Sequence, residues 1–196
     1  MRRRVLVFLI LCAVCAAASP SAATYARQRA QQRIVGTVYG FGGRVSGRSY
    51  SLPFTLTVNN YSSADDAARL ASAAGSQDEL LSALGHMNAG RIAVGNNVGV
   101  TANAVFASQT AEGGTKLTVL FERNLNLFEL RYGTRSADYR FGYAEIYLDA
   151  RGRGQGTFIP AARVRVNGNN WEVEDFGVYP ARLMGLRSTG SVNNAR

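Results

Sequence analysis

Three carboxylates beside the only tryptophan are the first residues of this sequence that could do chemistry. Glu172, Glu174 and Asp175 follow Trp171 in the segment 162–177, ARVRVNGNNWEVEDFG. A retaining glycosidase needs two carboxyl groups about 5–5.5 Å apart, one of them kept protonated by its surroundings. Alternate residues of a strand are separated by roughly 6.5–7 Å along the backbone, which is too far for that pair. The spacing therefore argues against a catalytic acid pair.

The same segment predicts a hairpin with ion pairs across it. A tight turn centred on residues 168–169 would place Arg163 opposite Glu174 and Arg165 opposite Glu172. Facing opposite charges stabilise a strand pair, and a facing arginine lowers the pKa of a carboxylate. We expect these four residues to be structural ion pairs.

A row of tyrosines around one glutamate is the second group that could do chemistry. Residues 139–149, YRFGYAEIYLD, predict a central strand with apolar or aromatic residues on both faces. Rigid amphipathic rings around one fixed polar group are typical of a ligand pocket, although such rows also pack in cores or against helices. Arg131 would be the natural ion partner of Glu129 or Glu145. The candidate ligand-binding residues are Tyr139, Tyr143, Glu145 and Tyr147, with Arg131 and Tyr132 close by in sequence.

Residue counts exclude several enzyme classes. His86 is the only histidine, so neither a histidine-based triad nor a multi-histidine metal site can form. The sequence contains no D-x-D-x-D-G calcium loop, and 113-GGTK-116 lacks the glycine spacing of a phosphate loop. We therefore predict no cofactor, no metal site and no catalytic residue.

The N-terminus predicts export. Three arginines at positions 2–4 precede an apolar run from Val5 to Ala18, and small residues suitable for cleavage follow. The run is shorter than the roughly 20 residues that span a bilayer, so residues 1–23 are expected to be a cleaved signal peptide. Cys12 and Cys15 both lie within it, which predicts a cysteine-free mature protein without a membrane span, periplasmic or extracellular.

The charge distribution argues against a basic groove. The net charge is +9, but the segment from Ile34 to Ala181 holds 13 basic and 13 acidic residues, so the excess lies near the ends. We expect a flexible basic leader at residues 24–33, a disordered tail at 188–196 and no nucleic-acid partner.

Alternating apolar patterns predict a mainly β fold as a single domain over residues 34–187. We expect an antiparallel meander of about nine strands, forming a barrel or a sandwich, with a short two-helix insertion near 63–88 after the first hairpin. Strands 34–40 and 50–58 form that hairpin, and Pro53 predicts that the second is an edge strand. Further strands are predicted near 91–95, 100–109, 115–123, 126–132, 139–149, 155–166 and 171–179, with a possible one at 182–187.

Helix signals mark the insertion. Ser63 with Asp66, and Ser76 with Glu79, have the spacing of N-terminal capping pairs.

Three functions fit these features. The favoured one is an exported, soluble, non-enzymatic β domain that binds a small ligand or an envelope partner at the tyrosine row, with the helices as a lid. One alternative is a hydrolase of carbohydrate or envelope polymer that uses two of Glu122, Glu129 and Glu145. The other is a structural or assembly subunit that pairs through the edge strand 50–58.

Overall fold

A computed structural model describes residues 31–41, 49–124, 138–167, 170–175 and 180–190. These residues form an antiparallel sheet and two helices. The predicted strand near 126–132, residues 1–30 and the tail beyond residue 190 lie outside the described residues. Where the segments expected to be flexible are described, they join the sheet: β1 begins at Gln32, within the predicted leader 24–33, and β10 ends at Thr189, within the predicted tail 188–196. The strands are β1 (Gln32–Phe41), β2 (Ser49–Val58), β3 (Gly90–Val94), β4 (Val100–Ala102), β5 (Ala104–Gln109), β6 (Thr115–Glu122), β7 (Phe141–Leu148), β8 (Arg153–Asn167), β9 (Asn170–Asp175) and β10 (Ala181–Thr189), and the helices are α1 (Ala64–Ala73) and α2 (Gln77–Gly85).

The sheet is a nearly closed barrel. Its strand order is β4-β3-β2-β1-β10-β8-β7-β6-β5, and β9 pairs with β8 outside this path. The two ends of the order, β4 and β5, are consecutive in the chain with only Asn103 between them. One continuous stretch therefore pairs with β3 through its first part and with β6 through its second. This confirms the predicted mainly β, antiparallel fold with two short helices, as a barrel.

The change of partner occurs at Asn103, where the predicted strand 100–109 is interrupted. The Asn103 side chain is buried, and its Nδ2 donates to the carbonyl oxygens of Leu84 at 3.1 Å and Met87 at 3.2 Å. Its Oδ1 accepts from the backbone N–H of Glu122 at 3.0 Å. The amide thus satisfies backbone groups of α2 and β6 where the ladder breaks.

Inward-facing side chains fill the barrel with a single apolar core. The strands of the barrel contribute alternate residues to this core, including Ile34, Leu56, Val119, Ile146 and Leu183. At the end of the barrel where β1 starts and β10 finishes, the Tyr61 hydroxyl donates to Gln32 Oε1, and Gln32 Nε2 donates to Ser188 Oγ at 2.8 Å. We call this the closed end, and the opposite one, at the β3–β4 turn, the mouth.

The helices cover part of the outer surface. Ser63 caps α1 through the predicted reciprocal pair with Asp66, whereas Ser76 stands at the N-cap of α2 without a side-chain capping bond. A second apolar cluster joins the helices to the outer sides of β5 to β8. Its buried members are Leu70, Leu80, Leu84, Ala104, Leu120, Phe141, Ile159, Ala162 and Val164. Within the described residues, neither helix is long and apolar enough to cross a membrane.

The prediction that β2 is an edge strand is wrong. β2 pairs with β1 along its whole length and with β3 from Phe54 to Val58. The β3 ladder ends at the pair Phe54–Val94, and just beyond it the Pro53 carbonyl accepts from Gly95 N–H at 2.7 Å. The missing N–H of proline points to the same side as its carbonyl, so it falls past the last ladder pair and costs no hydrogen bond. An interior strand tolerates proline at this one position.

The predicted register of the β8–β9 hairpin is confirmed. Arg163 faces Glu174 and Arg165 faces Glu172. Val164, which faces Val173, is buried against the helix cluster on the other side of the ladder. The arginines and acids therefore share one face of this pair of strands, as their alternation predicted.

Candidate functional site

Three of the predicted ligand-binding residues meet on the outer face of β7. The hydroxyl of Tyr143 donates to Glu145 Oε2 at 2.8 Å, and that of Tyr147 donates to Glu145 Oε1 at 2.5 Å. Alternate residues of a strand point to the same side, so the sequence order places one tyrosine on each side of the carboxylate. Glu145 therefore lies between the two tyrosines and accepts a hydrogen bond from each.

Lys116, on the neighbouring strand β6, completes the cluster. It faces Tyr147 in the ladder, and its Nζ lies 2.8 Å from Glu145 Oε2 and 5.4 Å from the centre of the Tyr147 ring. Ammonium groups at such distances are attracted both to the carboxylate and to the ring face. The only lysine of the chain thus serves a cross-strand ion pair, a role that sequence reasoning missed.

The electrostatics of the cluster keep its charged groups ionised. Partial burial alone would raise the pKa of Glu145, but hydrogen bonds from Lys116, Tyr147 and Tyr143 outweigh it, and the pKa falls below its usual value. The bond to Glu145 raises the pKa of Lys116. Burial, with the bond to Glu145, raises the pKa of Tyr143 well above its usual value. A carboxylate held in this way is a poor general acid at neutral pH.

The structure separates the remaining predicted residues from this cluster. Tyr139 was expected on the same strand face, but β7 begins at Phe141, and the Tyr139 hydroxyl instead donates to Glu174 Oε1 at 2.5 Å. Arg131 and Tyr132 lie outside the described residues. Both oxygens of Glu145 are already bonded within the cluster, and Tyr143 borders an apolar cavity of about 20 Å³, room for about one water molecule. Of the three clustered residues, only Tyr147 borders a larger groove, of about 670 Å³. Ligand binding by the tyrosine row as a whole stays a prediction.

The acids considered for a hydrolase do not converge. Glu122 faces Phe141 in the β6–β7 ladder, whereas Glu145 faces Thr118, four positions away, or about 13 Å along the strands. Glu122 lines a separate cleft of about 500 Å³ beside Arg91, and no second described carboxylate lines that cleft. Glu129 lies outside the described residues. Among the described residues, no group of three or more histidine, cysteine or acidic side chains could hold a metal ion.

A more suitable site lies at the mouth of the barrel. An open cleft of about 370 Å³ enters the core there. Its lining comes from β3, the β3–β4 turn, β4, β6 and β8, and is mostly apolar: Ile92, Val94, Asn97, Val98, Gly99, Val100, Phe121, Asn124 and Phe158. Val98, on the rim, is 83% exposed.

Stacked aromatic rings form the floor of this cleft. Phe121 and Phe158 lie nearly parallel with their centres 6.2 Å apart, and Phe54 meets Phe158 edge-on at 6.3 Å. The Phe121 ring lies directly over Gly142 of β7, where a Cβ would be only 2.0 Å from the ring. The floor therefore depends on a glycine near the start of β7, a strand paired on both sides.

Two asparagines supply polar groups at the rim. Asn97 donates from Nδ2 to the Val94 carbonyl at 3.3 Å, and its side-chain oxygen has no hydrogen-bond partner among the described residues. Asn124 is exposed beside it in the lining. No charged side chain of the described residues lines the cleft. Sequence reasoning missed this site because its members are dispersed along the chain. The one local signal is a valine within the polar turn sequence 95-GNNVG-99.

Comparison with known proteins identifies no relative. A scan against protein-family models finds no match, and searches of the curated proteins and of the solved structures find none either.

Proposed function

We propose that this protein is a non-enzymatic β-barrel protein that binds a small, neutral, largely apolar ligand in the mouth of the barrel. The observation that carries the proposal is the cleft itself. Its volume of about 370 Å³ lies in the range of roughly 300–1,000 Å³ that small-molecule pockets occupy, and barrel mouths are a frequent place for them. Export, predicted from the N-terminal residues, is part of the proposal, since residues 1–30 lie outside the described chain.

The lining supports an apolar ligand body. Aliphatic side chains form the walls and the Phe121–Phe158 stack forms a flat, rigid floor. A ring or a branched chain that enters the cleft would replace water on these surfaces, and each Å² of apolar area removed from water contributes about 25 cal/mol. A planar ligand would gain further from contact with the aromatic floor.

The rim supports a neutral polar end. Asparagine amides both donate and accept, so Asn97 and Asn124 suit a hydroxyl or carbonyl group on the ligand. A charged group would lose hydration without meeting an opposite charge, which disfavours ionic ligands. We therefore expect neutral ligands with one apolar ring system and one or two hydrogen-bonding groups.

The test uses the neutral fluorescent probe N-phenyl-1-naphthylamine with the full chain. We expect saturable binding that Val100→Trp weakens about tenfold or more, because the larger ring fills the cleft, and a tenfold change corresponds to 1.4 kcal/mol. Val35→Trp, the same substitution on the outer face of β1, is the matched control and should bind normally.

A second variant separates loss of binding from loss of folding. Val98→Asp places a charge on the exposed rim without altering the core, so the protein should stay folded. Its affinity for the probe should nevertheless fall, because the charge lies at the entrance of the cleft. Absence of saturable probe binding to the natural sequence would refute the proposal. So would equal affinity of the natural sequence, Val100→Trp and Val98→Asp.

A further inference from the structure

Five exposed arginines lie together on the side of the barrel away from the helices. They belong to β1, β8, β10 and the β7–β8 turn, and we call their surface the basic face: Arg33, Arg151, Arg153, Arg182 and Arg187. Within the described part of the chain, none of the five side chains has an ion-pair partner. Seven acidic residues instead occupy the helices and β9: Asp65, Asp66, Asp78, Glu79, Glu172, Glu174 and Asp175.

The fold creates this face from residues that are far apart in the sequence. Arg33 lies near the start of the sheet and Arg187 near its end, but β1 pairs with β10. Arg33 faces Thr189 and Arg187 faces Val35, which makes the two arginines diagonal neighbours on the outer side. The charge balance along the sequence does not indicate this face for the same reason. The neutral balance from Ile34 to Ala181 is real, but the arginines outside it join the sheet and meet Arg153 there.

A β-bulge at Gly185 turns the side chain of Arg187 outward. Gly185 has φ +62°, and the ladders on both sides of β10 shift register beside it. The extra residue reverses the alternation, so Leu186 is buried in the core while Arg187 is exposed. Without the bulge, Leu186 would share the outer face with Met184.

The outward turn places two like charges opposite each other. Arg187 faces Arg153 directly in the β8–β10 ladder. Like charges at facing positions destabilise a strand pair, and two guanidinium groups side by side form a strong site for carboxylate or sulfate. The repulsion between Arg153 and Arg187 destabilises the fold locally. An anion bound between the two guanidinium groups would remove that repulsion.

A groove beside the arginine pair indicates the kind of anion. It has a volume of about 670 Å³, is open, and crosses β7, β8 and β10 close to the closed end of the barrel. Tyr147, 43% exposed, offers a ring on one side. The polar groups around it include both donors and acceptors, from Arg153, Gln155, Glu112 and Asp149.

From this surface we infer a second binding function: the basic face and its groove bind an acidic polysaccharide, a chain of sugar rings that carry carboxylate or sulfate groups. The arginines bind the anionic groups, Tyr147 packs against a ring face, and sugar hydroxyls donate to Glu112 and Asp149. A nucleic-acid backbone fits less well, because it offers at most one hydroxyl donor per nucleotide to these two carboxylates, whereas a polysaccharide offers several hydroxyl donors. A membrane surface fits less well, because Met184 and Tyr39 are the only large exposed apolar side chains described on these strands apart from Tyr147.

The experiment measures binding of fluorescently labelled polygalacturonate to the full chain. Arg153→Gln/Arg187→Gln should bind roughly tenfold or more weakly, because it removes the facing pair that receives a carboxylate. The control, Arg69→Gln/Arg140→Gln, also loses two positive charges. These two arginines are exposed or partly exposed and form ion pairs with Asp66 and Asp78 away from the basic face. It should keep its affinity for the polysaccharide.

Binding of other ligands distinguishes an acidic polysaccharide from a nucleic acid or a membrane surface. Neutral dextran should not bind, and a single-stranded oligonucleotide and vesicles with anionic lipid should bind more weakly than polygalacturonate. Equal loss in both double variants would show attraction by net charge alone and overturn the inference. Tighter binding of the oligonucleotide or the vesicles, or no polygalacturonate binding at all, would overturn it as well.

The variant itself is expected to fold. Since the substitution removes a like-charge repulsion, the thermal midpoint of Arg153→Gln/Arg187→Gln should equal or exceed that of the natural sequence. A lower midpoint would contradict the repulsive pair on which the inference depends. Val100→Trp, at the mouth of the barrel, should leave polygalacturonate binding unchanged, so the two proposed sites can fail separately.

Discussion

Replacing Gly142 with alanine tests how the floor of the mouth is built. Gly142 is the second residue of β7, and its inner side lies under the ring of Phe121, its ladder partner on β6. A Cβ there would lie 2.0 Å from Cζ, 2.1 Å from Cε2 and 2.6 Å from Cε1 of that ring. Ordinary carbon contacts need about 3.5–4.0 Å, so the ring must move by roughly 1.5 Å or the strand must yield.

The magnitude follows from the packing of the core. Phe121 is buried and stacked on Phe158 at 6.2 Å, so its displacement disturbs a second ring and the apolar core around both. Inserting a methyl group into a packed core typically costs about 1–3 kcal/mol. We expect Gly142→Ala to lower the free energy of unfolding by that amount. For a chain of this size the thermal midpoint should fall by roughly 2–12 °C.

The assay is urea unfolding followed by far-ultraviolet circular dichroism. Gly75→Ala is the matched control, because a Cβ there meets no atom within 4 Å, and it should change stability by less than about 0.5 kcal/mol. In the background of Phe121→Leu, which removes the ring, Gly142→Ala should cost at least about 1 kcal/mol less than it does alone. If Gly142→Ala is as stable as the natural sequence, or if its cost is the same with and without the ring, the close contact is not what requires glycine.

Three further predictions concern other parts of the fold. Asn103→Ala should destabilise the protein by about 2–3 kcal/mol in urea unfolding, because it leaves buried backbone groups without partners, whereas Asn88→Ala at an exposed position should have little effect. The lowered pKa of Glu145 predicts stability that is present above the usual glutamate pKa of 4.5 and lost as pH falls through its own lower value. The difference in thermal midpoint between the natural sequence and Glu145→Gln should therefore shrink on acidification, and a constant difference would contradict the ion cluster. Ser63→Ala should cost about 1 kcal/mol, whereas Ser76→Ala, which removes no capping bond, should cost much less; equal losses would contradict the assigned caps.

Local patterns predicted most of the elements. Alternation located the strands, the spacing of Ser63 and Asp66 located a helix start, and the turn at 168–169 set the register that pairs Arg163 with Glu174. These features depend on residues close in sequence, whose geometry follows from backbone periodicity and turn chemistry. The cluster of Tyr143, Glu145 and Tyr147 was predictable for the same reason, because alternate residues of one strand share a face.

One error is local, since Ser76 lacks the capping bond that its spacing from Glu79 predicted. The others involve partners that are distant in the chain. Proline at position 53 indicated an edge, but its cost depends on where the neighbouring strand ends, which only the pairing of β2 with β3 defines. The outward direction of Arg187 depends on a bulge, and one inserted residue reverses every later side chain. Tyr139 found its partner on β9, thirty-five positions away.

The sequence by itself determined the class of this protein: a mainly β, antiparallel chain with two short helices, a single lysine, a single histidine and no local motif for a metal, a phosphate or a nucleophile. Only the tertiary structure decided where the candidate binding surfaces lie. Closure of the sheet at Asn103 turned dispersed aliphatic residues into the mouth of a barrel, and the pairing of β1 with β10 gathered arginines from both ends of the chain onto one face. The physical reason is that the alternation of side chains and the type of a turn are set within a few residues. A cavity or a charged face is formed by several strands together, and no local pattern specifies the order of those strands in the sheet.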